Sequence, residues 1–232
     1  MTPNPVDALA FYIVFLLSTT LHEAAHAWAA LRGGDPTAYH GGQVSLDPIP
    51  HIRREPFGMV VLPLLSALFT GWPIGFASAP YDPNWAMRHP KRAALMALAG
   101  PAANLVLALL AAIAIRLALG AGWLFIPDRV AFGHIVESSQ GGVMPGVALM
   151  LGVFFCMNVL LCAFNLLPVP PLDGSGALPL FLSRETSRSY QQFIWTNPML
   201  GLVGMFVAWK VFGWIFPPLF WGSIRVLFAG AV

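Results

Sequence analysis

Long apolar stretches separated by short polar connections dominate the 232-residue chain. A helix that crosses a bilayer needs about 20 mostly apolar residues. Stretches of this kind occupy residues 8–31, 57–77, 93–119, 147–167, and 199–216 with 218–229, the last two forming one or two segments. The pattern predicts an all-α polytopic membrane protein with about four to six membrane segments.

Two regions depart from a plain spanning helix. Residues 57–77 are apolar, but prolines and glycines interrupt them, and such breaks suit a segment that enters the membrane and returns. We therefore expect this stretch either to span or to be re-entrant. Residues 39–54 are rich in Gly and Pro and include the alternating run Gln43-Val44-Ser45-Leu46. That run predicts a short strand or β-hairpin near the membrane surface.

Composition supports a membrane protein and excludes several other classes. Hydrophobic residues make up 57% of the chain and charged residues 9%, against roughly 25% in a soluble domain. The net charge is +2 and no long Lys/Arg run occurs, so nucleic acid is not an expected partner. The two cysteines match no CxxC motif. We expect a single membrane-embedded domain over 1–232 that keeps its first apolar segment, with no cleaved signal peptide.

Only two acidic residues fall within or at the edge of apolar segments beside other metal-binding groups, namely Glu23 and Asp173. An ionisable residue at membrane depth costs free energy, so its default interpretation is functional. These two carboxylates therefore indicate where the chemistry lies.

Residues 22–26 read His-Glu-Ala-Ala-His, which is the HExxH pattern. On a helix, positions i and i+4 share a face, so His22 and His26 can direct both imidazoles at one metal ion. Glu23 lies about 100° around the helix from His22, within reach of a water on the metal. This arrangement is typical of a zinc hydrolase with two histidine ligands and a carboxylate base.

A catalytic zinc needs a third protein ligand and one open position. Asp173 is the preferred candidate, because it follows an apolar span in a turn where prolines end the helix and Gly174 permits close backbone approach. A helix N-cap is the alternative role for Asp173. The remaining histidines lie in loops and are expected to be solvated or interfacial: His40, His51, His89 and His134.

Three motifs together resemble those of the site-2 protease family of intramembrane zinc metalloproteases. They are the HExxH of residues 22–26, the sequence Gly-Pro-Ala-Ala-Asn of residues 100–104, and Asn-Leu-Leu-Pro-Val-Pro-Pro-Leu-Asp-Gly of residues 165–174. Their order and placement match the family's pattern. The resemblance covers a catalytic core of about residues 8–180, and the C-terminal membrane segments, about 199–230, are less diagnostic.

The resemblance implies a role for each matched residue. His22, His26 and Asp173 would bind one zinc ion per chain, and Glu23 would be the general base. Asn165 would shape the site and help hold substrate or the developing oxyanion. Asn104, with Gly100 and Pro101, would chiefly pack the central helix against the catalytic ones, a packing role that we favour over a chemical one for these three residues.

The chain departs from the family pattern in two respects. No PDZ or CBS domain, which many relatives carry, fits within the sequence. Ser175 stands where many relatives have a second glycine, but serine is small, so we expect no loss of activity. Ser175 is not expected to be a nucleophile, because the GxSxG motif is absent.

The positions of basic residues predict the topology. If residues 57–77 are re-entrant, eight basic residues lie on one side of the membrane and Arg129 alone lies in the opposite loop. Basic loops favour the cytoplasm. We therefore expect a multi-pass cell-membrane protein, in a bacterial inner membrane, with the metal site toward the cytoplasm. The eight residues are Arg32, Arg53, Arg54, Arg88, Lys91, Arg92, Arg184 and Arg188.

The predicted function is zinc-dependent cleavage of transmembrane segments by metal-activated water, with a transmembrane protein as substrate and residues 39–54 as a strand that pairs with it. Two alternatives stay open. One is a membrane metal transporter or sensor that uses the same His, His and Asp side chains, and the other is a non-catalytic scaffold that binds membrane helices. A homo-oligomer, the substrate's identity and the need for a prior cut are also left open.

Overall fold

The computed structural model describes residues 4–230, and these are mostly helical, in agreement with the predicted all-α class. A π-helical turn, Phe57–Val61, precedes α4, and a 3-10 turn, Leu178–Leu180, follows α8. The helices in chain order are α1 (Pro5–Gly33), α2 (Thr37–His40), α3 (Pro48–Arg54), α4 (Leu62–Thr70), α5 (Pro83–Arg88), α6 (Pro90–Gly120), α7 (Met144–Asn165), α8 (Asp173–Ala177), α9 (Arg184–Thr196) and α10 (Met199–Phe228).

Four of the described helices are long and apolar enough to cross a membrane, namely α1, α6, α7 and α10. The shortest of them, α7, has 22 residues. At 1.5 Å per residue it is about 33 Å long, which matches a hydrocarbon core of about 30 Å. The C-terminal region forms one helix rather than two, even though Pro217 and Pro218 lie inside it.

Helix α6 lies at the centre of the bundle and contacts α1, α7 and the short α8. Small side chains on two helices let their backbones approach closely within a bilayer. The residues buried along α6 are mainly small and include Ala94, Ala97, Gly100, Ala108 and Ala111. Helix α10 packs mainly on α7, and most of its apolar side chains face outward.

Residues 57–77 turn back on themselves instead of forming one long helix. The π-turn and α4 together have 14 residues, about 21 Å of helix and too short to cross the hydrocarbon core. Gly71 ends α4 with a φ of 76°, and the chain then runs back without regular secondary structure. The backbone N–H of Phe76 donates to the carbonyl of Gly58 at 3.1 Å. The two ends of the segment therefore lie side by side.

The strand predicted within residues 39–54 is wrong. Helices α2 and α3 occupy most of this region, and an irregular turn joins them. The carboxylate of Asp47 accepts a hydrogen bond from the N–H of Ile49 at 2.9 Å, and Pro48 takes the first helical position. Both features are strong helix-start signals. A four-residue alternation cannot override them, and no described segment pairs with it.

Basic side chains tie the connecting segments together at one end of the bundle. Arg92 donates to the carbonyl of Gly33, at the end of α1, at 3.2 Å. Arg184, at the start of α9, donates to the carbonyl of Arg88 at 3.0 Å. The loops that carry most of the basic residues therefore meet at a single end, which we call the basic end.

The opposite end of the bundle is formed by the start of α1, the end of α10 and the loop at 121–143. The Asp7 carboxylate lies 3.1 Å from Nε2 of His134, which joins the start of α1 to this loop. Arg116 donates to the carbonyl of Leu227 at 2.8 Å and so caps the end of α10.

Candidate metal centre

Helix α1 directs two buried histidines at one point, as their four-residue spacing predicts. The Nε2 atoms of His22 and His26 are 3.0 Å apart. Their rings are 4.6 Å apart between centroids, with an interplanar angle of 79°. Because both histidines lie on one uninterrupted helix, the backbone of α1 places both side chains on the same face.

Asp173, the first residue of α8, brings a carboxylate to the same point. Its Oδ2 atom lies 3.0 Å from Nε2 of His22 and 3.3 Å from Nε2 of His26. Oδ2 is buried and accepts no hydrogen bond within residues 4–230. The N-cap role considered for Asp173 does not apply, because Leu172 occupies the cap position of α8.

The turn that carries Asp173 depends on Gly174. A Cβ at this position would collide with the carbonyl oxygens of Leu166 and Leu167, so only glycine lets the chain fold back under the end of α7. The hydroxyl of Ser175 donates to the carbonyl of Leu172 at 2.7 Å. Ser175 is therefore engaged in the turn, and its expected lack of a nucleophilic role stays a prediction.

The other ring nitrogen of each histidine faces a hydrogen-bond acceptor. Nδ1 of His22 is 2.6 Å from Oδ1 of Asn104, and Nδ1 of His26 is 2.7 Å from the carbonyl of Met96. Each Nδ1 must therefore carry the hydrogen and donate it. In the neutral imidazole this leaves a lone pair on each Nε2 atom.

Three lone-pair donors thus converge: two Nε2 atoms and one carboxylate oxygen. Such atoms repel one another at 3.0–3.3 Å unless a cation lies between them. A proton on one Nε2 satisfies only part of the set, whereas a divalent metal ion satisfies all three atoms. Tetrahedral zinc with ligands at about 2.1 Å places ligand atoms roughly 3.3 Å apart, which fits the observed spacing. No second group of this kind occurs among the described residues.

A cleft of about 390 Å³ opens beside the three converging atoms. Glu23 is buried and lines this cleft together with His26 and Asp173. Burial raises the pKa of Tyr190, so its phenol stays protonated and donates to the carbonyl of Ser175 at 3.0 Å. Helix α9 covers the far side of the cleft with Tyr190, Gln191, Ile194 and Trp195.

The chain matches the sequence model of a known protein family. The sequence model described as "Peptidase family M50" matches residues 10–206, which include Glu23 and all three converging side chains. The chain belongs to peptidase family M50. No solved structure shows a significant match.

Two known relatives illustrate how far the likeness to other M50 sequences extends. The chain is 29% identical over 235 residues to "Putative zinc metalloprotease YwhC" of Bacillus subtilis, covering 93% of this chain and 96% of the relative. It is 35% identical over 229 residues to "Putative zinc metalloprotease Rip2" of Mycobacterium tuberculosis strain H37Rv, covering 93% of this chain and 76% of the relative.

Asn104 and Asn165, the two asparagines that the sequence resemblance assigns to the site, lie in different surroundings in this M50 chain. Asn104 is fully buried and bonded to His22, so the preference for a packing role over a chemical one does not describe it fully. Asn165 is the half-buried last residue of α7 and does not line the cleft. A substrate or oxyanion role for Asn165 stays a prediction.

Sequence reasoning missed Asn158. It is fully buried in the middle of α7, and its side-chain oxygen accepts a hydrogen bond from Nδ2 of Asn104 at 2.9 Å. A signal was available, because Asn158 is the one amide inside the otherwise apolar run before Asn165. A polar group inside a spanning helix needs a partner in the bundle.

The remaining histidines lie away from the metal centre of this M50 chain. His51 is buried, and its Nε2 atom donates to the carbonyl of Ser45 at 3.0 Å. His134 pairs with Asp7 at the opposite end of the bundle. Neither belongs to the converging group, and His40 and His89 do not belong to it either.

Gly100 is the position in α6 that faces the metal centre most closely. A Cβ there would overlap the Nε2 atoms of both His22 and His26. We expect Gly100→Ala to displace both rings and to lower zinc affinity at least about tenfold, measured by chelator competition. The matched control is Gly213→Ala in α10, where a Cβ meets nothing within 4 Å and zinc affinity should stay unchanged. Equal affinity in both variants would contradict the geometry.

Proposed function

We propose that this M50 chain is a zinc-dependent endopeptidase that cleaves transmembrane segments of membrane proteins. The observation that carries the proposal is the convergence of Nε2 of His22, Nε2 of His26 and Oδ2 of Asp173 beside the carboxylate of Glu23. The family is a peptidase family, and both relatives carry the name "Putative zinc metalloprotease". Two imidazoles and a carboxylate also form a ligand set that suits zinc.

In the proposed mechanism each side chain has one task. His22, His26 and Asp173 would hold zinc, which supplies Lewis acidity that acidifies water and polarises a carbonyl. The carboxylate of Glu23 takes the proton from the attacking water and passes it to the leaving amine. Hydrogen bonds from both Nδ1 atoms fix the orientation of the imidazoles.

The position of the site supports cleavage within the bilayer. His22, Glu23 and His26 lie inside α1, a helix long and apolar enough to span, rather than in a loop. A spanning substrate helix satisfies its own backbone hydrogen bonds, so the substrate must unwind locally before its peptide bond can enter the cleft. The strand predicted at 39–54 is not present to pair with such a substrate, so that step is not retained.

The basic end supports a proposal for the side of the membrane toward which the site opens. The metal centre lies in the half of α1 that leads to Gly33, where the basic segments meet. Because basic loops favour the cytoplasm, we infer that the cleft opens toward the cytoplasmic side of a bacterial inner membrane.

A cysteine-accessibility experiment tests this sidedness. In a background that lacks Cys156 and Cys162, we expect Arg54→Cys and Lys91→Cys to be labelled from the cytoplasmic side alone, since both positions are exposed and flank the re-entrant segment. A control cysteine in place of Asp128, in the loop at 121–143, should be labelled from the other side alone. Labelling of positions 54 and 91 from opposite sides would contradict the re-entrant topology.

Proteolysis can be tested with purified protein in proteoliposomes that contain a single-span substrate. We expect cleavage that stops when a zinc chelator is added and returns when zinc is supplied in excess. Magnesium supplied instead should not restore it, because magnesium prefers octahedral oxygen ligands. Cleavage that continues in the chelator would contradict the proposal.

Neither alternative function has a specific observation in its favour. A transporter needs metal-binding groups along a path, whereas residues 4–230 contain one group with three ligands. A scaffold does not need a buried carboxylate beside three converging lone-pair donors. Zinc uptake by proteoliposomes without cleavage would nevertheless identify a transporter.

A further inference from the structure

We propose that Asn158 is a positioning residue, which acts through Asn104 to fix the tautomer of His22 that leaves Nε2 free to bind a metal ion. The inference rests on the metal centre of the proposed function and extends it to a residue on a third helix. It concerns a hydrogen-bonded chain that runs from α7 through α6 to α1.

The chain of side chains is completely enclosed. Ser18, Asn104 and Asn158 each have 0% exposure, so water cannot compete for their hydrogen bonds. Nδ2 of Asn158 donates to the carbonyl of Phe154 at 2.8 Å and to the hydroxyl of Ser18 at 2.9 Å. Nδ2 of Asn104 donates to Oδ1 of Asn158 at 2.9 Å and makes only a long contact, 3.5 Å, with the carbonyl of Ser18. Oδ1 of Asn104 faces Nδ1 of His22 at 2.6 Å.

The direction of every bond follows from the first one. A backbone carbonyl can only accept, so the amide nitrogen of Asn158 must face Phe154. Its oxygen then faces Asn104, which must present its own nitrogen in return. The oxygen of Asn104 is thereby left for His22, and it can only accept. His22 must carry its hydrogen on Nδ1, and its Nε2 keeps the lone pair.

The two histidine ligands differ in this respect. Nδ1 of His26 faces the backbone carbonyl of Met96, an acceptor that no side-chain rotation can turn into a donor. His22 instead depends on an amide that offers an acceptor on one side and a donor on the other. If the amide of Asn104 turned over, its NH₂ would donate to Nδ1 of His22. The hydrogen of the neutral ring would then lie on Nε2, which could not bind a metal.

The direct test replaces Asn158 with leucine, which has a similar volume and no hydrogen-bonding group. We expect Asn158→Leu to lower zinc affinity by about 10–100-fold, the usual effect of losing a residue that orients a metal ligand. Affinity is measured on the purified full chain by competition with a chelator. Thermal unfolding of the metal-free protein shows whether the variant is folded.

A second substitution separates tautomer control from simple packing. Asn104→Asp supplies a carboxylate, whose two oxygens are both acceptors, so it accepts from Nδ1 of His22 in either orientation. We therefore expect Asn104→Asp to restore zinc affinity in the Asn158→Leu background, where leucine leaves no oxygen facing the second carboxylate oxygen. If Asn158 only packed the helices, Asn104→Asp could not restore affinity.

The matched control is Ser18→Ala. This change removes one acceptor from Asn158 but keeps the carbonyl of Phe154 that sets its orientation, so zinc affinity should stay near that of the wild type. Unchanged affinity in Asn158→Leu, or reduced affinity that Asn104→Asp does not restore, would overturn the inference while wild-type zinc binding leaves the proposed function standing. A wild-type protein that binds no zinc would overturn both.

Discussion

In the Glu23→Gln variant we expect zinc to stay bound while kcat for peptide cleavage falls by about 10²–10⁴-fold, the usual contribution of a general base. Glutamine matches glutamate in size but cannot take a proton from water. Glu23 lines the cleft and is not one of the three converging ligands, so the metal site should remain intact. Bound zinc and cleavage are measured on the same purified sample.

The control for this substitution is Glu137→Gln, an exposed position in the loop at the opposite end of the bundle. It makes the same chemical change without touching the cleft, so cleavage and bound zinc should both match the wild type. Full cleavage by Glu23→Gln would show that another group takes the proton, and loss of its zinc would place Glu23 among the ligands.

Removal of a metal ligand should abolish zinc binding as well as cleavage. We expect Asp173→Ala to lose zinc affinity by more than the roughly 10–100-fold that an orienting residue contributes, and to lose cleavage together with the metal. Without Oδ2 of Asp173 only the Nε2 atoms of His22 and His26 remain, fewer than the three protein ligands of a catalytic zinc. The measurement is zinc content per chain after gentle purification, followed by chelator competition.

Asp128→Ala provides the comparison, because Asp128 is exposed in the loop at 121–143. Its zinc content should equal that of the wild type. Normal zinc content in Asp173→Ala would mean that the third ligand is a different residue. Helix α8, which begins at Asp173, would then supply no ligand to the metal ion.

Local rules were sufficient to predict the parts of the site that lie on one element. The four-residue spacing of His22 and His26 fixes their shared face on any regular helix. The approach of Asp173 could be predicted because prolines end α7 and Gly174 tolerates close backbone contact. The long spans followed from length and apolar content alone.

Other features depend on partners that are distant in the sequence. Residues 43–46 alternate like a strand, but a helix-start signal at Asp47 and the lack of a partner strand override so short a pattern. The hydrogen bond between Asn104 and Asn158 joins two helices, and the two residues are 54 positions apart in the sequence. Nothing in the local sequence of either residue predicts this bond. Helix α9 shows only a polar, amphipathic pattern, which does not reveal that its apolar face covers the cleft.

The position of the bond that is cut shows whether this chain cleaves its substrate within the bilayer. Purified protein and a single-span substrate are reconstituted together, and the product ends are identified by mass spectrometry in wild type and in Glu23→Gln. We expect the wild type to form product ends inside the apolar span of the substrate, toward its cytoplasmic half, and Glu23→Gln to form none. Product ends confined to the substrate's water-exposed segments, or equal product from Glu23→Gln, would contradict this expectation.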